Sequence, residues 1–133
     1  MSFEFPIRVY WEDTDAGGIV FYANYLKFFE RARTEWLRQL GVQQQALREA
    51  TGGMFVVVET QLKYHKPAQL DDLLTVNASL LSKGRSSLVI AQQAWRQAGQ
   101  QVLLCEGTIR IGWVQASSLR PERIPPSILE RLI

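Results

Sequence analysis

Asn24-Tyr25-Leu26-Lys27-Phe28-Phe29-Glu30-Arg31-Ala32-Arg33-Thr34-Glu35-Trp36-Leu37-Arg38-Gln39-Leu40 decides how this chain folds. Its apolar members Tyr25, Phe28, Phe29, Ala32, Trp36 and Leu40, joined by Leu26 and Leu37, recur at intervals of three and four. That spacing places them on one face of an α-helix. Lys27, Glu30, Arg31, Arg33, Glu35 and Arg38 take much of the rest, and Arg31 with Glu35 has the spacing of an ion pair one turn apart. Asn24 is suited to cap the start, Gly18 to Tyr22 to form a first turn, and Gly41 stands just past the end, where helices close on a left-handed residue. Gln43 to Ala50 reads as a short second helix, ended by Thr51-Gly52-Gly53.

On either side of this segment the period changes from helical to two. Phe3, Phe5, Ile7, Val9 and Trp11 alternate with Glu4, Arg8 and Tyr10, as in a strand with one buried face, and Pro6 argues that this strand lies at a sheet edge or starts late. Four more strands are expected at Phe55 to Tyr64, Leu73 to Ser82, Ser87 to Trp95 and Val102 to Val114, with turns at Asp71-Asp72, Gly84 and Gly99. Short connections imply antiparallel pairing. The tail, with Pro121, Pro125 and Pro126, reads as irregular chain ending in a helical turn. The order is therefore β-α-β-β-β-β. A long antiparallel sheet must cover its apolar face, and the aromatic helix is the element long enough to do so, which makes the expected fold α+β with a sheet wrapped around one helix. Such a sheet leaves two edges, and pairing with a second copy protects an edge, so a homo-oligomer is expected.

Composition bounds the rest. The chain has 133 residues, 47% hydrophobic and 21% charged, which fits one globular domain over 1–133. A domain of this size buries roughly two-thirds of its unfolded surface, enough for a core without metal or disulfide. The net charge of +2 comes from scattered Lys and Arg, which argues against a nucleic-acid partner. Cys105 is the single cysteine and cannot form an internal disulfide, and the start Met1 to Pro6 lacks the charged and apolar regions of a signal peptide. The expected compartment is the cytoplasm. No apolar run approaches the about 20 residues that span a bilayer.

Between the first strand and the helix lies Glu12-Asp13-Thr14-Asp15-Ala16-Gly17-Gly18. Amides at a helix N-terminus point outward with partial positive charge and polarise a carbonyl oxygen or hold an anion. A carboxylate beside such donors suits acyl transfer. The alternative is that Asp13 and Asp15 are turn and capping residues. A calcium loop from Asp13 fails, because Asn24 occupies its twelfth position and Gly17 the place of the third ligand. An aspartyl phosphohydrolase needs a held metal and a larger α/β scaffold. His65 and Cys105 lack metal-ligand spacing, and Cys105 in an alternating strand reads as a small buried residue rather than a nucleophile. No cofactor or metal is called for. Glu59 interrupts Phe55-Val56-Val57-Val58 and is a second acid candidate, with solvent exposure as the alternative. Ser82-Lys83-Gly84-Arg85-Ser86-Ser87 offers cations and hydroxyls suited to phosphate groups, or else is a solvated hairpin tip. Lys63 and Lys66, flanking Tyr64-His65, add positive potential more weakly.

The run Val9-Tyr10-Trp11-Glu12-Asp13-Thr14-Asp15-Ala16-Gly17-Gly18-Ile19-Val20-Phe21-Tyr22-Ala23-Asn24-Tyr25, followed by Phe29-Glu30-Arg31-Ala32-Arg33-Thr34-Glu35, resembles the hotdog-fold acyl-CoA thioesterases, and within them the Tol-Pal-associated group. The register continues through Pro67-Ala68, Leu70-Asp71-Asp72 and the Ser-rich turn at Ser82 to Ser87. The resemblance implies a sheet wrapped around a central helix and hydrolysis of an acyl-CoA thioester without a metal. It implies Asp15 as nucleophile or as general base for water, with amides from Gly18 to Tyr25 polarising the carbonyl. It further implies a site between two subunits and dimers that pair into homotetramers.

One departure stands out. The Tol-Pal group carries His where this chain has Tyr22, and a Tyr there resembles the 4-hydroxybenzoyl-CoA thioesterase branch. Tyr22 then lines an acyl pocket or donates a hydrogen bond, or it packs at the head of the helix. The expected site is Asp15 and Tyr22 at the chemistry, with Gly18, Ile19, Val20, Phe21, Asn24, Tyr25, Glu59, Lys83, Arg85 and Ser86 around the substrate. The competing expectation is a non-catalytic acyl-CoA binding or scaffold protein of the same fold. A hotdog dehydratase is a third, weakened because His65 stands outside the motif.

Overall fold

The computed structural model describes residues 3–97, 99 and 101–132. Its strands are β1 (Phe3–Arg8), β2 (Gly53–Tyr64), β3 (Leu73–Lys83), β4 (Ser87–Arg96) and β5 (Val102–Gln115), and its helices α1 (Tyr25–Gln39), α2 (Gln44–Thr51) and α3 (Pro126–Leu129). Two 3₁₀ turns, Trp11–Asp13 and Tyr22–Asn24, join β1 to α1. The strands form one antiparallel sheet in the order β1-β3-β4-β5-β2. Pro6 thus lies on an edge strand, as its missing N–H requires.

Helix α1 packs Tyr25, Phe28, Phe29, Ala32, Trp36 and Leu37 against Leu74, Val76, Leu88, Ile90 and Ile109 of the sheet, all of them buried. Burial of each large side chain contributes roughly 1.5–3 kcal/mol relative to leaving it exposed. The helix ends as expected at Gly41, whose φ is 86°. The sheet closes tightly at Gly107 of β5, where any Cβ would run into the Gln61 carbonyl of β2.

Five sequence expectations are corrected. The first strand stops at Arg8 rather than Trp11: Val9 still bonds the Asp71-Asp72 turn, but Tyr10 to Asp13 coil into a turn that leaves Trp11 79% exposed. Leu26 is on the outer side of α1, and Leu40 is half-buried. Arg33, placed among the polar residues by its charge, is buried, because Gln92 of β4 supplies an acceptor beneath it. Glu35 pairs with Arg38 at 3.2 Å instead of with Arg31. Asn24 gives α1 no side-chain cap, since its amide is turned to Asp13.

Strand β3 measures the sheet. Its eleven residues run roughly 30 Å from the end that carries the β1–α1 loop to the opposite end, where the β3–β4 turn meets the C-terminal tail. There the Ile124 amide donates to the Arg85 carbonyl and the Lys83 ammonium lies 3.5 Å from the Leu129 carbonyl.

Candidate active site

The loop between β1 and α1 is built around two aspartates with opposite surroundings. Asp13 is buried, and its carboxylate accepts from the Tyr10 amide at 2.8 Å and from Asn24 Nδ2 at 2.9 Å. Its carbonyl also accepts from the Phe21 amide at 2.9 Å. Asp13 therefore fastens the loop to the head of α1. Asp15 is exposed and opens a tight turn. Its amide donates to the Ile19 carbonyl at 2.9 Å, its carbonyl accepts from the Gly18 amide at 3.0 Å, and Gly18 takes a φ of 80° that suits glycine. The Gly17 amide donates to Asp15 Oδ1 at 2.8 Å. This side-chain turn orients the carboxylate and leaves Oδ2 without a partner among the described side-chain bonds.

The turn is braced by the segment that follows β2. The Val20 amide donates to the Ala68 carbonyl at 2.9 Å, and Ile19 bridges to Gln69. The amides of Gly18, Val20, Phe21 and Asn24 are thereby engaged within the protein. The amides of Tyr22 and Ala23 open the 3₁₀ turn that leads into α1, the position at which helical N–H groups lack partners. Of the stretch expected to supply amides, this is the part in a position to do so.

Beside the turn is a cavity of about 230 Å³ lined by Ile19, Val20, Tyr22, Tyr25, Tyr64, His65, Lys66 and Pro67. Its aromatic wall is mutually packed: Tyr22 and Tyr25 each meet the Tyr64 ring edge-on, and Phe21 packs on Tyr22 with centroids 4.9 Å apart. The Tyr64 hydroxyl donates to the Tyr22 carbonyl at 2.9 Å. Burial pushes the Tyr25 phenol up to about 12, against the opposing effect of a hydrogen bond to the Ala68 backbone, so Tyr25 is a neutral phenol across the physiological range.

Of the residues expected around the substrate, Ile19, Val20, Tyr22 and Tyr25 line this cavity, Gly18 belongs to the Asp15 turn, and Phe21 backs Tyr22. The Asn24 side chain is buried against Asp13. Within one chain, Lys83, Arg85 and Ser86 are not brought to Asp15, since they occupy the far end of the sheet. Glu59 is exposed on β2, 3.8 Å from Arg110, and lies five residues along the strand from Tyr64. Tyr64, His65 and Pro67 were missed as lining residues; the signal was the compact run Lys63-Tyr64-His65-Lys66-Pro67 at a strand end.

A family model described as the thioesterase superfamily matches residues 17–103. The acyl-CoA thioesterase YbgC of Haemophilus influenzae is 40% identical over 127 residues, covering 96% of this chain and 91% of that protein. The acyl-CoA thioester hydrolase YbgC of Escherichia coli O6:H1 is 41% identical over 127 residues, with 96% and 92% covered. Among solved structures, a 4-hydroxybenzoyl-CoA thioesterase from Pseudomonas sp. superposes with a TM-score of 0.91 at 21% identity, covering 98% of each chain, a likeness of fold. By sequence over nearly its whole length, and by a sheet wrapped on one helix, the chain belongs to the thioesterase superfamily in its hotdog form.

Proposed function

We propose that the protein hydrolyses the thioester of an acyl-CoA to the free acid and CoA, with Asp15 as nucleophile or as general base for water. The observation that carries this reading is an exposed carboxylate, oriented by the Gly17 amide, on the turn that walls a cavity at the head of α1. The amides of Tyr22 and Ala23 stabilise the oxyanion that develops as the carbonyl is attacked. The Tyr22 ring, packed on Tyr64, borders the acyl group.

The working unit in this proposal is a homodimer or a pair of dimers. Strand β2 is a long free edge with Val57 52% and Val58 55% exposed, whereas the other edge, β1, carries Pro6. Lys83, Arg85, Ser86 and Glu59 then reach the substrate of a neighbouring copy, the two cations meeting CoA phosphates. No helix among the described residues is long and apolar enough to cross a membrane, and we place the reaction in the cytoplasm. A link to the Tol-Pal system is supported by the loop resemblance alone.

The test is steady-state hydrolysis of short-chain, long-chain and aromatic acyl-CoAs by the parent and Asp15→Asn, with circular dichroism as folding control. Loss of one such electrostatic group costs on the order of 10²–10³ in rate, and the folded variant is expected to lose at least that. Parental turnover in Asp15→Asn would refute the role of Asp15. An inert parent that nevertheless binds acyl-CoA would turn the reading to a binding protein.

A further inference from the structure

The cavity holds an imidazole that the loop motif does not explain. His65 stands just past the end of β2, where Tyr64 pairs with Cys105, and its Nε2 lies 2.7 Å from Glu106 Oε2 on β5. The ring is tied back by one nitrogen and lines the same cavity as Tyr22. A carboxylate on one ring nitrogen fixes ring orientation and assigns proton exchange to the other, here Nδ1. The charged and titratable neighbours are Lys63, across the ladder from Glu106, then Lys66, Tyr22, Tyr25, Tyr64 and Cys105. Among them Glu106 is the group within hydrogen-bond reach of the ring.

Hydrolysis of an alkyl thioester expels a thiolate, and where Asp15 attacks as the nucleophile its carboxylate has no proton to give that sulfur. We propose that His65, held by Glu106, donates the proton taken up by the departing CoA sulfur. The assignment rests on the thioesterase reading above and adds a second reacting group to it. As the carbonyl carbon is attacked, the C–S bond breaks and its electron pair stays on sulfur. Nδ1–H of the imidazolium passes its proton to that sulfur, giving the free thiol. Water then attacks the acyl-Asp15 anhydride, its hydroxyl joining the acyl carbon and its other proton passing to Nδ1. The C–O bond to Asp15 breaks, and the carboxylate and ring return to the starting state.

The experiment compares two thioesters of one acyl group, the CoA thioester and an S-aryl thioester whose thiolate leaves without protonation. For His65→Gln the expected result is a fall in kcat of about 10²-fold on the CoA thioester, with KM little changed and the aryl thioester turned over near the parental rate. Added imidazole is expected to restore part of the CoA-thioester rate in His65→Ala. Glu106→Gln is expected to lower kcat on the CoA thioester by a smaller factor. Parental kcat on the CoA thioester in His65→Gln, or an equal loss on both substrates with no imidazole rescue, would overturn the proposal. Asp15→Asn, run alongside, is expected to lose both substrates. A failure of His65 with Asp15 intact is thereby separated from a failure of the thioesterase reading, in which the parent turns over neither.

Discussion

Asn24 Nδ2 donates to Asp13 Oδ1 at 2.9 Å inside the protein, so the first residue before α1 is clamped to the loop that presents Asp15. The two aspartates of one short loop thus divide the work by depth. The buried one holds the backbone, and the exposed one has its carboxylate oriented by the Gly17 amide.

Removing the clamp tests this division. Asp13→Ala strands the part-buried Tyr10 amide and the buried Asn24 amide group, and a buried donor left unsatisfied costs about 1–3 kcal/mol. Urea unfolding is expected to show that loss together with reduced kcat, since the Asp13 carboxylate ties Asn24, at the head of α1, to the loop that carries Asp15. Asp15→Asn, at an exposed position, is expected to leave the urea midpoint near the parental value.

A second buried polar link joins α1 to the sheet. Gln92, fully buried, accepts from Arg33 Nη1 at 2.9 Å and donates to the Phe29 carbonyl at 3.0 Å and the Asn77 carbonyl at 3.1 Å. Burial lowers the affinity of the Arg33 guanidinium for its proton, with Glu30 opposing. Gln92→Leu leaves the guanidinium with no side-chain acceptor and is expected to destabilise by about 1–3 kcal/mol or more. Adding Arg33→Leu is expected to recover part of that loss, which a double-mutant cycle in urea measures.

The free edge predicts the oligomer. Val57→Lys with Val58→Lys places like charges along β2 of both copies, which repels an edge-to-edge pair. Light scattering after size-exclusion chromatography is expected to show a monomer with a native circular dichroism spectrum and sharply reduced turnover. An unchanged dimer would assign the interface elsewhere.

Alkaline pH is expected to weaken the fold through two buried acids. Burial pushes the Cys105 thiol from 9.0 up to about 12, with nearby Glu106 adding to it, and the Tyr25 phenol from 10.0 up to about 12. Both are neutral in the folded protein while the unfolded chain ionises first. Their stabilisation is complete below pH 9 and is lost as pH rises from there toward 12. The urea midpoint of the parent is expected to fall between pH 8 and pH 11, and that of Cys105→Ala to fall less.

Several features were legible in the sequence because they are local. The three-and-four spacing from Tyr25 to Leu37 and the period-two strands follow from side-chain geometry along one element, and those elements admit a single sheet laid on one helix. The turn at Asp15 was legible because a carboxylate before a glycine pair marks a tight loop ahead of a helix, whereas its candidacy for the chemistry came from the family resemblance. Other features depend on residues far apart in sequence meeting in space. Arg33 is buried because Gln92, fifty-nine positions away, waits under it, and no helical period reports that acceptor. His65 faces the cavity because β2 and β5 set it beside Glu106, forty-one positions on. Lys83 and Arg85 stand at the far end of the sheet because strand length alone separates them from the loop. Periodicity fixes which face of an element is dry, and only the packing of elements against one another decides which polar groups share a site.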